Sequence, residues 1–157
     1  MQDLAPSASA RKTSCPVRMP LSKMTSVCVP MASTIFGSTE IAAKTGAQAI
    51  VVSNHGGRQL DGAPSSIEVL PEIVEEVGSQ MEIMFDGGIR SGQDVMRALA
   101  LGAKSCMIGR AYAYGLGAGG EAGVAKALDI LAKELTTTMG LCGVNTIAEI
   151  DDHVLAI

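Results

Sequence analysis

A chain of 157 residues with a net charge of −4 has room for one packed domain. It is short for a complete eight-stranded α/β barrel, which takes about 250 residues. Two Tyr, two Phe and no Trp supply neither a basic face nor a set of stacking rings, so no nucleic-acid partner is expected. No apolar run approaches the roughly 18 to 20 residues of a membrane-spanning helix. Four cysteines (Cys15, Cys28, Cys106, Cys142) lack metal-ligand or disulfide-framework spacing, which points to reduced thiols, no metal and a cytoplasmic setting.

Residues 1–37 are rich in Ser, Thr and Pro, with Asp3 as the sole acid and no visible period. They read as an unstructured or non-homologous leader; the weaker alternative, a transit peptide, has no amphipathic stripe or cleavage pattern behind it. From about residue 38 onward the chain is regular and reads as one domain, 38–157. Residues 39–45 form an expected helix stopped by Gly46, a residue suited to the left-handed conformation past a helix end. Ala49–Val52 is a continuous apolar run, the mark of a buried parallel strand.

After a polar loop over 53–66, Pro71 fits the first turn of a helix whose Ile73, Val74 and Val77 share a face, ending at Gly78. A strand over 82–85 follows. Ser91 and Asp94 have capping-box spacing for a helix with a Val95, Ala98, Leu99 stripe, ending at Gly102. Residues 105–108 make a third strand. A long helix follows the Gly- and Ala-rich stretch 111–120, with Val124, Leu128, Leu131 and Leu135 on its inner face, and Thr146 with Glu149 heads a last helix carrying Ile147, Ile150 and Val154.

Helices alternating with short apolar strands imply an α/β protein with a parallel sheet. Three strands cannot close a barrel, so their open edges offer a route to homo-oligomers. The polar, glycine-rich chemistry falls at the carboxyl ends of all three strands, where such sheets bind ligands.

Ser53-Asn54-His55-Gly56-Gly57-Arg58-Gln59-Leu60-Asp61 leaves the first of these strands. His55 suits a base working near neutral pH, and Arg58 can grip a carboxylate through two parallel hydrogen bonds. The bland alternative is a polar loop that happens to hold a His and an Arg. Asp86-Gly87-Gly88-Ile89-Arg90 and Gly109-Arg110 leave the other two strands, each before a helix. Either alone says little; together they combine close backbone approach, helix starts and two guanidinium groups, a cradle for a phosphate. Asp86 is too acidic to face a phosphate and suits ribityl or sugar hydroxyls. His153, between acids near the end of the chain, reads as structural.

Ser-Asn-His-Gly-Gly-Arg-Gln-Leu-Asp, Asp-Gly-Gly-Ile-Arg-Ser-Gly, Ile-Gly-Arg-Ala-Tyr and the tail Leu-Thr-Thr-Thr-Met-Gly-Leu-Cys-Gly-Val together resemble the carboxyl-terminal part of the FMN-dependent α-hydroxy-acid oxidases and dehydrogenases, over residues 39–157. Glycolate oxidase, lactate oxidase and the flavin L-lactate dehydrogenases belong to that family. The resemblance implies the last strands of a (β/α)8 TIM barrel that binds FMN and oxidises a small L-2-hydroxy acid to its 2-oxo acid. It implies His55 as the active-site base that also faces substrate, and Arg58 as the carboxylate clamp. Ser53, Asp86, Gly87, Gly88, Arg90, Gly109 and Arg110 would hold FMN. The family's flavin-contacting lysine would fall at Met31, where this chain has Met-Ala-Ser. The early strands of the family barrel have no counterpart here, so an incomplete barrel is expected. That leaves a second reading open, a non-catalytic half-barrel that keeps a phosphate or FMN site.

Overall fold

The computed structural model describes residues 24–28, as backbone, and residues 39–155. Met31, Cys15 and the other residues of the leader apart from 24–28 lie outside them. Four parallel strands form one sheet in the order β1-β2-β3-β4: β1 (Met24–Cys28), β2 (Ala49–Ser53), β3 (Glu82–Asp86) and β4 (Ser105–Met107). Helix α1 covers 39–44, α2 Ser66–Val77, α3 Gly92–Ala100 and α4 Arg110–Leu141. Strands therefore alternate with helices, as parallel neighbours require.

The three expected strands are present, and a fourth joins them from within the segment read as patternless. β1 pairs with β2 along its whole length, from Met24 beside Ala49 to Cys28 beside Ser53. Its sequence, Met-Thr-Ser-Val-Cys, carries no alternation. Pairing with a distant strand, which no local period records, defines it.

All five residues of β2 are buried. Ile50, Val52, Ile83 and Phe85 of the sheet pack with Val69, Leu70, Ile73 and Val77 of α2 in the main core. A smaller cluster joins Met96 and Ala100 of α3 to Ile150, with Leu135 and Met139 of α4 packed against it. Gly46, at φ +80°, takes the left-handed conformation expected after α1.

Four expectations are corrected. α2 starts at Ser66, so Pro71 lies inside the helix rather than in its first turn; its missing N–H costs one backbone bond, which the buried apolar face of α2 outweighs. On α3, Ala98 is buried but so is Met96, on a second face turned towards α4. α4 runs from Arg110 through the Gly-rich stretch, broken by non-helical Gly119 and Gly120. On the expected inner face Leu131 is buried at 8% exposure, whereas Leu128 is 50% exposed. The last helix is instead two single 3-10 turns, Ile147–Glu149 and Asp152–Val154. The expected capping box does not form: the Thr146 side chain makes no cap bond, and Glu149 Oε2 reaches past the N-cap to accept the Asn145 N–H at 2.9 Å. Ile150 is buried all the same.

No helix among the described residues is long and apolar enough to cross a membrane. Cys106 and Cys142 are free thiols.

Candidate functional site

The carboxyl ends of β2, β3 and β4 open onto one cleft of about 730 Å³. His55, Arg58, Asp86, Gly87, Gly88, Arg90, Gly109 and Arg110 all line it. Parallel strands deliver their carboxyl ends to the same edge of a sheet, so three loops far apart in sequence converge there. Ser53, the ninth candidate, is buried behind the cleft wall at 5% exposure. Its hydroxyl donates to Asp86 Oδ2 at 2.5 Å and accepts the His55 N–H at 3.1 Å.

His55 begins a 3-10 turn, His55–Gly57, that follows β2 directly. Its φ of +54° makes it the one non-glycine residue with positive φ among those described. Such a backbone is uncommon outside glycine and is held in place by its surroundings. Asn54 is the clasp: its Oδ1 accepts the Gly56 N–H at 3.0 Å, its Nδ2 donates to the Pro64 carbonyl at 3.2 Å, and its own N–H donates to Ser66 Oγ at 3.0 Å. The imidazole of His55 and the guanidinium of Arg58 are both exposed on the cleft.

The second loop is shaped by Gly87 and Gly88, at φ +127° and +76°. A Cβ on Gly87 would stand 2.8 Å from Ser66 Oγ, so the bare backbone is required there. Arg90 is anchored through its backbone, since Asp94 Oδ2 accepts the N–H of Arg90 at 3.0 Å and of Ser91 at 2.9 Å. Partial burial raises the pKa of Asp94, but the hydrogen bonds from Arg90 and Ser91, with the nearby Arg97 charge, outweigh it and hold the carboxyl below its ordinary value. Ser91 and Asp94 complete the expected capping box.

The two helix starts differ. At α3, Asp94 accepts the N–H groups of Arg90 and Ser91, and Glu134 of α4 accepts that of Gly92 at 2.9 Å. Its positive end is already satisfied by two carboxylates of the protein, contrary to the expectation that both helix starts serve an external anion. At α4, Gly109 is the N-cap and no side chain caps the helix. The open amides there, with Arg110 beside them and Arg90 across the cleft, form the electropositive end of the site.

Sequence reasoning missed Asn54, Ser66, Tyr112 and Tyr114, all on the cleft. Asn54 stood inside the motif, and its position just after a strand and two residues before a glycine was a signal for a turn clasp. Ser66 carried no such signal, because α2 was expected to begin later. His153 lies far along the chain in an exposed turn, with Nδ1 at 3.2 Å from carboxylate oxygens of both Asp151 and Asp152.

Residues 37–157 match the model of the FMN-dependent dehydrogenase family. Among curated proteins, an L-lactate dehydrogenase of Caulobacter vibrioides is 55% identical over 115 residues, covering 73% of this chain and 30% of its own length. An L-lactate oxidase of Nostoc sp. is 51% identical over 114 residues, covering 73% of the chain and 31% of its own length. The 2-hydroxyacid oxidase 2 of Mus musculus is 48% identical over 116 residues, or 74% and 33%. The chain thus spans about a third of the length of these relatives. A crystal structure of mandelate oxidase with 3,3-difluoro-2-hydroxy-3-phenylpropionic acid superposes with a TM-score of 0.75 at 43% identity, covering 82% of this chain and 38% of that one. With a family match over most of its residues and this likeness in both sequence and structure, the chain belongs to the FMN-dependent dehydrogenases.

Proposed function

We propose that this chain forms the substrate-facing and phosphate-holding part of an FMN-dependent site that oxidises a small L-2-hydroxy acid, of the lactate or glycolate type, to its 2-oxo acid. Its sheet is read as the carboxyl-terminal strands of a (β/α)8 barrel. The observation that carries this reading is the single cleft, where a His and an Arg from one strand end face two arginines and an uncapped helix start from two others.

The residues present fit the phosphate half of FMN. Gly87 and Gly88 lie on the cleft in positive-φ conformations, allowing close backbone approach to a ligand. Arg90, Arg110 and the α4 amides from Gly109 onward meet the charge of a phosphate ester. Asp86, with one oxygen on the Ser53 hydroxyl, accepts hydrogen bonds from ribityl hydroxyls. Buried Ser53 fixes that carboxylate, its part in holding the cofactor.

On the substrate, Arg58 takes the carboxylate through paired N–H donors and so sets the α-carbon at a defined distance from the turn. His55 then accepts the proton of the α-hydroxyl, and the bonded backbone of its turn fixes the point from which the imidazole extends. Bound FMN supplies the acceptor for the electron pair that the hydroxy acid gives up. The open edges of β1 and β4, which have no second strand partner among the described residues, extend the proposal to homo-oligomers formed through them, read out as molar mass by light scattering.

Reconstitution tests the whole. Protein mixed with FMN and freed of excess is expected to stay yellow and to bleach under anaerobic L-lactate or glycolate. His55→Ala is expected to keep the flavin and lose the bleaching, and Arg110→Ala to lose the flavin. Flavin retained by wild-type protein with no bleaching by any 2-hydroxy acid selects the second reading, a binding half-barrel without turnover. A colourless protein refutes the first reading, and one that also binds no phosphate refutes both.

A further inference from the structure

We infer that Ser66 is a positioning residue, a buried strut that locks the His55 turn to the Asp86–Gly88 loop so that an anion in the cradle sets the place of the base. The inference rests on the reading of the cleft just given. Ser66 is the first residue of α2 and is 4% exposed. Its Oγ accepts the Asn54 N–H at 3.0 Å, immediately before the turn that carries the imidazole.

The same oxygen fills the space that a side chain on Gly87 would need, 2.8 Å from that Cβ position, and Asn54 Oδ1 lies 3.6 Å from it. The end of β2, the start of α2 and the end of β3 therefore meet at one hydroxyl. A second link runs alongside, from the His55 N–H to Ser53 Oγ and on to Asp86. A backbone at φ +54° has lower-energy alternatives, and these bonds are what withhold them. A shift of the glycine loop towards a bound phosphate pushes on Ser66, and Ser66 passes it to Asn54 and the turn.

The chain has two histidines, so its imidazole Hε1 resonances number two, and His153→Gln assigns them. Inorganic phosphate is titrated into wild-type protein, Ser66→Ala and Ser66→Thr, following both resonances and the thermal midpoint. In wild-type protein the His55 resonance is expected to move to saturation while His153 stays. In Ser66→Ala phosphate still binds, but the movement of His55 at saturation is lost; Ser66→Thr, which keeps the hydroxyl, restores it. Asn54→Ala, which opens the clasp with Ser66 in place, is expected to lose it too, and serves should Ser66→Ala not fold.

A purely structural Ser66 would lower the midpoint yet leave the His55 movement at saturation intact, and that result overturns the inference. So does phosphate that binds wild-type protein without moving His55, with the reading of the cleft left standing. Wild-type protein that binds neither phosphate nor FMN overturns the proposed function and the strut with it.

Discussion

Alanine at Gly87 and at Gly88 separates two costs that neighbouring glycines usually confound. At Gly88, φ is +76° and a Cβ would meet nothing within 4 Å, so the substitution carries only the conformational penalty of about 1 kcal/mol. At Gly87, φ is +127°, outside the left-handed basin, which costs about 1 to 3 kcal/mol. A Cβ there also stands 2.8 Å from Ser66 Oγ, where ordinary contact begins at 3.4 Å, so the hydroxyl must retreat by about 0.6 Å. That oxygen is the acceptor for the Asn54 N–H, and leaving such a donor without a partner costs about 1 to 3 kcal/mol. Gly87→Ala is therefore expected to cost roughly 3 kcal/mol more than Gly88→Ala. In urea unfolding followed by circular dichroism, with a slope of about 2 kcal/mol per molar, this separates the two midpoints by roughly 1.5 M. Removing the obstructing oxygen with Ser66→Ala should recover the clash component, a coupling of about 1 kcal/mol or more in a double-mutant cycle. Equal midpoints for the two alanine variants, or strictly additive effects of Gly87→Ala and Ser66→Ala, would refute the packing of the loop on Ser66.

The contact of α3 with α4 predicts a further contrast. A Cβ on Gly92 would lie 2.0 Å from the Leu135 nitrogen, a backbone atom that cannot swing aside, whereas one on Gly117 meets nothing within 4 Å; Gly92→Ala is expected to lose about 3 kcal/mol and Gly117→Ala to gain up to about 1, read from the same urea curves. The lowered pKa of Asp94 means that the folded state binds its proton more weakly than the unfolded chain. Its stabilisation is therefore complete above the unfolded value of about 3.9 and is lost as pH falls through the folded one. Asp94→Asn should flatten the acid limb of a melting-temperature profile below pH 4, and a limb as steep as that of wild-type protein would contradict this. Burial pushes the Cys106 thiol up to about 11, so at pH 8 iodoacetamide is expected to label exposed Cys142 well before Cys106, with peptide mass spectrometry reading the order.

Strand β2 was legible because a strand buried along its whole length spells a continuous apolar run, β3 and β4 because short apolar runs, only partly buried, stand before glycine-rich loops, and the cap of α3 because Ser91 and Asp94 act within one turn of each other. What escaped notice depends on partners distant in sequence. β1 exists through its register with β2, and Pro71 misplaced the start of α2 because the buried face from Ser66 to Val77 tolerates a proline that local rules place first. The last segment has helical periodicity, but its apolar residues reach the small cluster from isolated turns, and Ile150 alone is buried there. In the site, side chains with formal charge announced themselves, while Asn54 and Ser66 act through hydrogen bonds to backbone and through shape. Residue type records the first kind of role and only the fold records the second.

The division of labour between the two helix starts explains why an arginine follows each glycine loop. At α3 the Gly92 amide is spent on Glu134 and the Asp94 amide on the Ser91 hydroxyl, while Asp94 holds the N–H groups of Arg90 and Ser91 just ahead of the helix, which makes that helix a fixture: it pins the backbone of Arg90 and, through Glu134, ties the loop to α4. Only the guanidinium of Arg90 then reaches the cleft as positive charge. At α4 the amides are uncapped and Arg110 adds to them, so that start supplies the attraction itself. Glu134 is the hinge of the arrangement, because the helix that offers its own start to an anion also supplies the carboxylate that closes its neighbour's. On the proposed reading a second anion is thereby discouraged at α3, and a phosphate ester would sit between Arg90 and Arg110, with Asp86 and the His55 turn on the side where the rest of such a ligand would extend.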